Sequence, residues 1–172
     1  RAAEEGVSIP VMKEATLMLL TWPGAPTLYY GDEAGVCGFT DPDNRRTYPW
    51  GRENRELIDF HRDMINVHKR LKPLKNGSFM FLKCERDLVS YGRFDDEGAV
   101  IVVVNSGDIT LNIEIPVWKA GVPMECELKQ KMITNEKGYS IFPLDVPVKN
   151  GMLKLNITPF EAAIYSVEFK KN

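Results

Sequence analysis

The sequence predicts a mixed fold. A helix–strand–helix segment over residues 1–72 belongs to a larger α/β domain, and an all-β antiparallel sandwich follows over residues 73–172. Three observations carry this. The chain changes character at Pro73: helical periodicity lies before it and short strand-like runs lie after it. Residues 25–30 form an uncharged, largely apolar run, as expected of a parallel strand covered on both faces. Beyond Pro73, apolar and polar residues alternate with period two: Ile109, Leu111, Ile113 and Ile115 against Thr110, Asn112 and Glu114. One parallel strand cannot bury its own two faces, so the first 72 residues need neighbours that this sequence does not supply.

Each element follows from local chemistry. Ser8 is a candidate N-cap with Pro10 in the first turn, and Val11, Ala15, Met18 and Leu19 form an apolar helical face. Pro23 and Gly24 end that helix, and the strand at 25–30 opens into a long loop rich in acids, arginines and aromatics. Asn54 caps a second helix, in which Leu57, Phe60, His61, Met64, Val67, His68 and Leu71 recur at helical spacing until Lys72 and Pro73 stop it. After Pro73 no helix is required. Strands are expected at 79–82, 88–94, 99–105, 109–115, 124–132, 153–157 and 162–169, with turns at 95–98 and 105–108. Residues 100–104 are apolar on both faces and mark a central strand.

Composition excludes several functions. A formal charge of −2 with no basic stripe gives no handle for nucleic acid, and the apolar runs at 17–20 and 99–104 are too short to span a bilayer. Cys37, Cys84 and Cys126 match no metal or redox spacing and are expected as free thiols in a reducing compartment. The sequons at Asn76 and Asn156 carry little weight without a secretory signal. His61 and His68 lie two helical turns apart, about 10 Å by the rise per residue, too far to share a metal. They are expected as core or helix-end residues. The N-terminus has neither an initiator Met nor a signal-like apolar stretch, and we expect a cut inside a longer polypeptide.

The runs Pro23-Gly-Ala-Pro-Thr-Leu-Tyr-Tyr-Gly-Asp-Glu33 and Asp41-Pro-Asp-Asn-Arg45-Arg-Thr-Tyr-Pro-Trp50 resemble the α-amylase family, glycoside hydrolase family 13. The likeness is closest to its neopullulanase, cyclomaltodextrinase and maltogenic-amylase members. It implies that residues 1–72 are the last strand and helices of a (β/α)8 TIM barrel, with residues 25–30 as the eighth strand, and that 73–172 are the amylase C-terminal domain. It also implies that Asp41 and Arg45 bind glucose units on the non-reducing side of the cleaved bond. The alternative is an ion pair between the same two residues that merely braces a long loop. Tyr48 and Trp50 have faces suited to stacking on sugar; Tyr48 is taken as a substrate contact, and Trp50, next to Pro49, as a loop anchor. Gly31, Asp32, Glu33 and Gly35 match the strand-end turn and are taken as loop-shaping residues. Asn44 and Arg46 either touch ligand or face solvent.

By the same resemblance the nucleophilic Asp, the acid/base Glu and the stabilising Asp come from earlier strands and precede Arg1. Retaining hydrolysis needs two carboxyl groups about 5 Å apart across the scissile bond. Asp32 and Glu33 are adjacent on an extended chain and point apart, and Asp95, Asp96 and Glu97 lie in a turn of the other domain. No catalytic residue, metal or cofactor is therefore expected in this chain. The expected function is the C-terminal portion of a cytoplasmic α-glucan hydrolase whose ligand is an α-glucan or maltooligosaccharide, inactive by itself. Its partner is the missing N-terminal part of the barrel or another copy of the chain. The alternatives are a transferase of the same family, a non-catalytic glucan-binding module, and a purely structural one.

Overall fold

The computed structural model describes residues 9–169. Its frame is antiparallel: nine strands form one sheet in the order β1-β2-β3-β9-β5-β7-β8-β4, with β6 paired to β5. The strands are β1 (Ser78–Cys84), β2 (Leu88–Phe94), β3 (Gly98–Asn105), β4 (Leu111–Pro116), β5 (Cys126–Asn135), β6 (Gly138–Ser140), β7 (Asp145–Lys149), β8 (Met152–Ile157) and β9 (Glu161–Glu168). Three helices accompany them: α1 (Ile9–Thr21), α2 (Arg55–Arg70) and the one-turn α3 (Pro73–Asn76). Short 3-10 turns cover Asp43–Arg45 and Val117–Ala120.

Strand β3 is buried at every residue, as its two-faced apolar pattern requires. Its odd side chains Ile101 and Val103 enter a core shared with Leu82 of β1, Ile113 and Ile115 of β4, Leu128 of β5, Val148 of β7 and Leu153 of β8. The two end strands of the sheet, β1 and β4, thus contribute side chains to one core. The even side chains Val100, Val102 and Val104 enter a second core with Leu17 and Leu20 of α1, Phe60 and Met64 of α2, and Leu74 of α3. Both faces of the central strand are thereby dry.

Several expectations are corrected. Residues 25–29 have no regular secondary structure and residue 30 opens a turn; the segment pairs with no strand among the described residues and is mostly exposed, because its backbone finds no parallel neighbour there to bond. On α1 the buried residues are Met12, Lys13, Glu14, Thr16, Leu17, Leu20 and Thr21, whereas Ala15 and Leu19 of the expected face are exposed. The helix is apolar on both sides, and the sheet covers only one. The cap at Ser8 lies outside the described residues. Helix does occur after Pro73: the proline supplies the first turn of α3, where its missing N–H costs nothing. The two-sheet sandwich is one continuous sheet, and it contains β6, of three residues, and β7, which carries Pro147, two strands not expected from the sequence.

Candidate functional site

The loop between α1 and α2 begins with a tight turn. Gly31 and Gly35 have φ of +86° and +75°, the left-handed region where a side chain is strained. The amides of Ala34 and Val36 both donate to the carbonyl of Gly31 at 3.1 and 2.9 Å, and the Gly31 amide donates to Glu33 Oε2 at 2.9 Å. At the far end the Asn54 amide donates to the Ala34 carbonyl at 3.0 Å, and Asn54 Oδ1 accepts from the Leu57 amide at 3.1 Å. The helix cap and the turn therefore share one residue. A Cβ on Gly35 would approach the Asn54 Cβ to 3.3 Å, so the two segments meet at glycine.

The centre of the loop is a ring of charge. Arg45 grips Asp41 at two points, Nε to Oδ1 at 2.8 Å and Nη2 to Oδ2 at 3.0 Å, with both side chains more than half exposed (61% and 65%). Arg46 Nε donates to Asp43 Oδ1 at 2.7 Å, the Phe39 amide donates to Asp43 Oδ2 at 2.9 Å, and the Tyr30 hydroxyl donates to the Arg46 carbonyl at 2.9 Å. The Phe39 amide, and after it Arg46, hold the Asp43 carboxyl below its ordinary pKa. The Tyr48 and Trp50 rings lie 4.6 Å apart at 50°, and Trp50 is 80% exposed. Desolvation, then the carboxylates of Glu33 and Glu53, raise the Tyr48 hydroxyl above its usual range.

The structure thus joins Asp41 to Arg45 and Tyr48 to Trp50, and sets Glu33 near the Tyr48 hydroxyl. Asn44 is half-buried within the 3-10 turn, and Arg46 is held by Asp43. Asp95 Oδ1 accepts from the amides of Glu97 and Gly98 at 2.8 and 3.1 Å, so that acidic group builds a turn. The imidazoles serve the helices: His61 Nδ1 meets the Leu57 carbonyl at 2.8 Å, and His68 Nδ1 donates to the Leu20 carbonyl at 2.6 Å. Among the described residues, no three His, Cys, Asp or Glu side chains are grouped to hold a metal ion, and no helix is long and apolar enough to cross a membrane.

Sequence reasoning missed the buried polar residues around this loop. Lys13 is buried between α1 and α2, where its ammonium meets Glu56 and lies 5.5 Å from the centroid of the Tyr139 ring. Glu14 is buried beside it, and burial pushes its carboxyl up to about 7. Arg93 is buried on β2. The signal was available: Lys13 and Glu14 interrupt an apolar helix, and Arg93 interrupts an apolar strand.

No family model matches the chain. It is 32% identical over 163 residues to an amylopullulanase of Thermoanaerobacterium thermosulfurigenes, an alignment covering 84% of this chain and 8% of that protein. It is 30% identical over 156 residues to neopullulanase 2 of Thermoactinomyces vulgaris, covering 87% of this chain and 24% of the relative. A debranching enzyme from Nostoc punctiforme superposes with a TM-score of 0.74 at 26% identity, over 94% of this chain and 32% of that one. The chain therefore spans well under half the length of these relatives. The sequence likeness and the shared fold agree, and over the residues it spans this chain belongs to the α-amylase family of glycoside hydrolases.

Proposed function

We propose that this chain is the C-terminal portion of a retaining α-glucan hydrolase acting on α-1,4 and α-1,6 glucosidic bonds. Asp41 and Arg45, together with Tyr48, bind glucose units on the non-reducing side of the cleaved bond. The observation that carries this is the two-point Asp41–Arg45 pair held in solvent on the loop. An exposed ion pair contributes only about 0–1 kcal/mol, so bracing the loop is a weak role for it. A carboxylate and a guanidinium fixed edge to edge still offer free lone pairs and N–H groups in one plane, which matches vicinal sugar hydroxyls. The neighbouring Tyr48 and Trp50 rings supply faces for the C–H surfaces of a pyranose.

The names of the relatives support an α-glucan ligand. The two catalytic carboxyl groups belong to the earlier barrel strands of the whole enzyme, with which residues 9–54 would pack, and this chain alone binds without turnover. Calorimetric titration with maltoheptaose tests the reading. Binding is expected in the parent, with no glucose release. In an Asp41→Ala/Arg45→Ala double variant it weakens by roughly tenfold or more, the loss for charged hydrogen bonds of about 1.5–3 kcal/mol. Equal binding by the double variant would remove this loop as the subsite.

A further inference from the structure

The loop over residues 22–54 is strung between the last residue of α1 and the cap of α2, and both fixing points are held by side chains remote in sequence. At the first, Arg93 Nη1 on β2 donates to the Thr21 carbonyl at 3.0 Å, while its Nη2 donates to the Gly77 carbonyl at 3.1 Å. The Thr21 hydroxyl lies 2.6 Å from the Tyr91 hydroxyl, and His68 closes the preceding carbonyl. Behind the second, in the middle of α2 and nine residues past the cap, the Tyr139 hydroxyl on β6 donates to Asp63 Oδ2 at 2.9 Å, and its ring stands edge-on to Phe60 at 5.2 Å. Two turns before Asp63 on α2, Lys13 meets Glu56, two residues after the cap that bonds the 31–36 turn.

Arg93 is the telling residue. It is fully buried, its two bonds go to main-chain carbonyls, and its Nε has no partner among the described residues. An apolar side chain would fill that volume without desolvating a charge, so stability alone does not explain a guanidinium there. The planar fork does fix one geometry: it ties the end of α1 to the start of β1 through the interior of β2.

We infer that Arg93 and Tyr139 are positioning residues for the loop, through which the β-sheet sets the spacing of its two ends and hence the arrangement of Asp41 and Arg45. The sugar readout of this inference rests on the glucan-binding reading; the exchange readout does not. Loops that carry binding residues work only as well as the rigid elements that hold them.

The test uses the full chain and two conservative variants. Tyr139→Phe keeps the ring on Phe60 and removes the bond to Asp63. Arg93→Lys keeps the charge but reaches at most one carbonyl. Native-state amide exchange is followed at Ala34, Gly35, Val36 and Asn54, alongside maltoheptaose titration. Each variant is expected to speed exchange at these amides about three- to tenfold and to weaken maltoheptaose binding by a similar factor, the size of one lost hydrogen bond. Exchange in β3 and β9 stays at the wild-type rate. Loop amides that exchange as in wild type, or accelerate only in step with β3 and β9, overturn the inference. If Arg93→Lys does not fold, Tyr139→Phe decides alone. Should the parent fail to bind maltoheptaose, the glucan-binding reading falls while the exchange data still decide the positioning role.

Discussion

Glu14 and Lys13 are neighbours on α1 and both are buried, yet they are handled differently. Lys13 meets the carboxylate of Glu56, whereas Glu14 Oε1 has no partner among the described residues and burial raises its carboxyl from 4.5 to about 7. A carboxyl with a raised folded pKa is held neutral by the fold. Its contribution is intact below the unfolded value near 4.5 and is lost as pH rises through about 7. Between pH 5 and pH 8 that shift expresses about 2–3 kcal/mol. Asp43 and Glu53, whose carboxyls are held low, act in the opposite sense at more acid pH. A comparison of wild type with Glu14→Gln cancels them. Urea unfolding at pH 5 and pH 8 is expected to show the variant gaining on wild type by that amount at the higher pH. A wild-type advantage that is the same at both pH values would mean that Glu14 finds a partner when ionised. The sequence displayed this anomaly, two opposite charges inside an apolar helix, but not which of the two would be paired. That depends on Glu56, 43 positions from Lys13.

At the scale of elements, α2 is the most legible and α1 the least. Helix α2 has a polar face and an apolar one, so its periodicity names the buried Leu57, Phe60, His61 and Met64 directly, and its cap is the expected Asn54. In α1 apolar residues occur all round, and no period separates the face on the sheet, Leu17 and Leu20, from the exposed Ala15 and Leu19. Residues 25–30 have strand-like composition, but a strand is made by its neighbours, and composition is silent on whether they are present. Strand β7 was hidden by Pro147, and β6 by its length of 3 residues. Of the loop, the Asp41–Arg45 ion pair is one of the two readings those residues leave open; the sharing of Asn54 between cap and turn was not legible, because Ala34 reaches it only in three dimensions. That sharing has a measurable consequence. Asn54→Ala should lose about 1 kcal/mol from the cap, a fall in Tm of about 2–4 °C for a chain of this size. The same change should leave the Asn54→Ala34 backbone bond in place, so the 31–36 turn survives at low temperature. Unchanged Tm would show that the Leu57 amide finds another acceptor.

Across the whole molecule, the second core joins residues on both sides of Pro73: Leu17, Leu20, Phe60 and Met64 from before it, with Leu74, Tyr91, Val102 and Ile164 from after it. Each fully buried Leu or Phe contributes roughly 1.5–3 kcal/mol. α1 is further tied down by Lys13 on Glu56 and by Arg93 on Thr21. The covalent loop between α1 and α2 adds little of this. It is largely exposed and carries four exposed aromatic side chains outside any α-helix or strand, Tyr29, Tyr30, Phe39 and Trp50. Brief chymotrypsin treatment should therefore cut first between residues 29 and 50. Phe142, equally exposed, is followed by Pro143, which blocks the enzyme there. Cutting the loop makes the hold on α1 bimolecular and forfeits an effective concentration of the order of millimolar. The buried contacts are large enough to keep the pieces together at tens of micromolar. The expected result is two bands on a denaturing gel and one unchanged peak on gel filtration. Release of the short N-terminal piece from the nicked protein would mean that α1 is held by chain connectivity rather than by the second core.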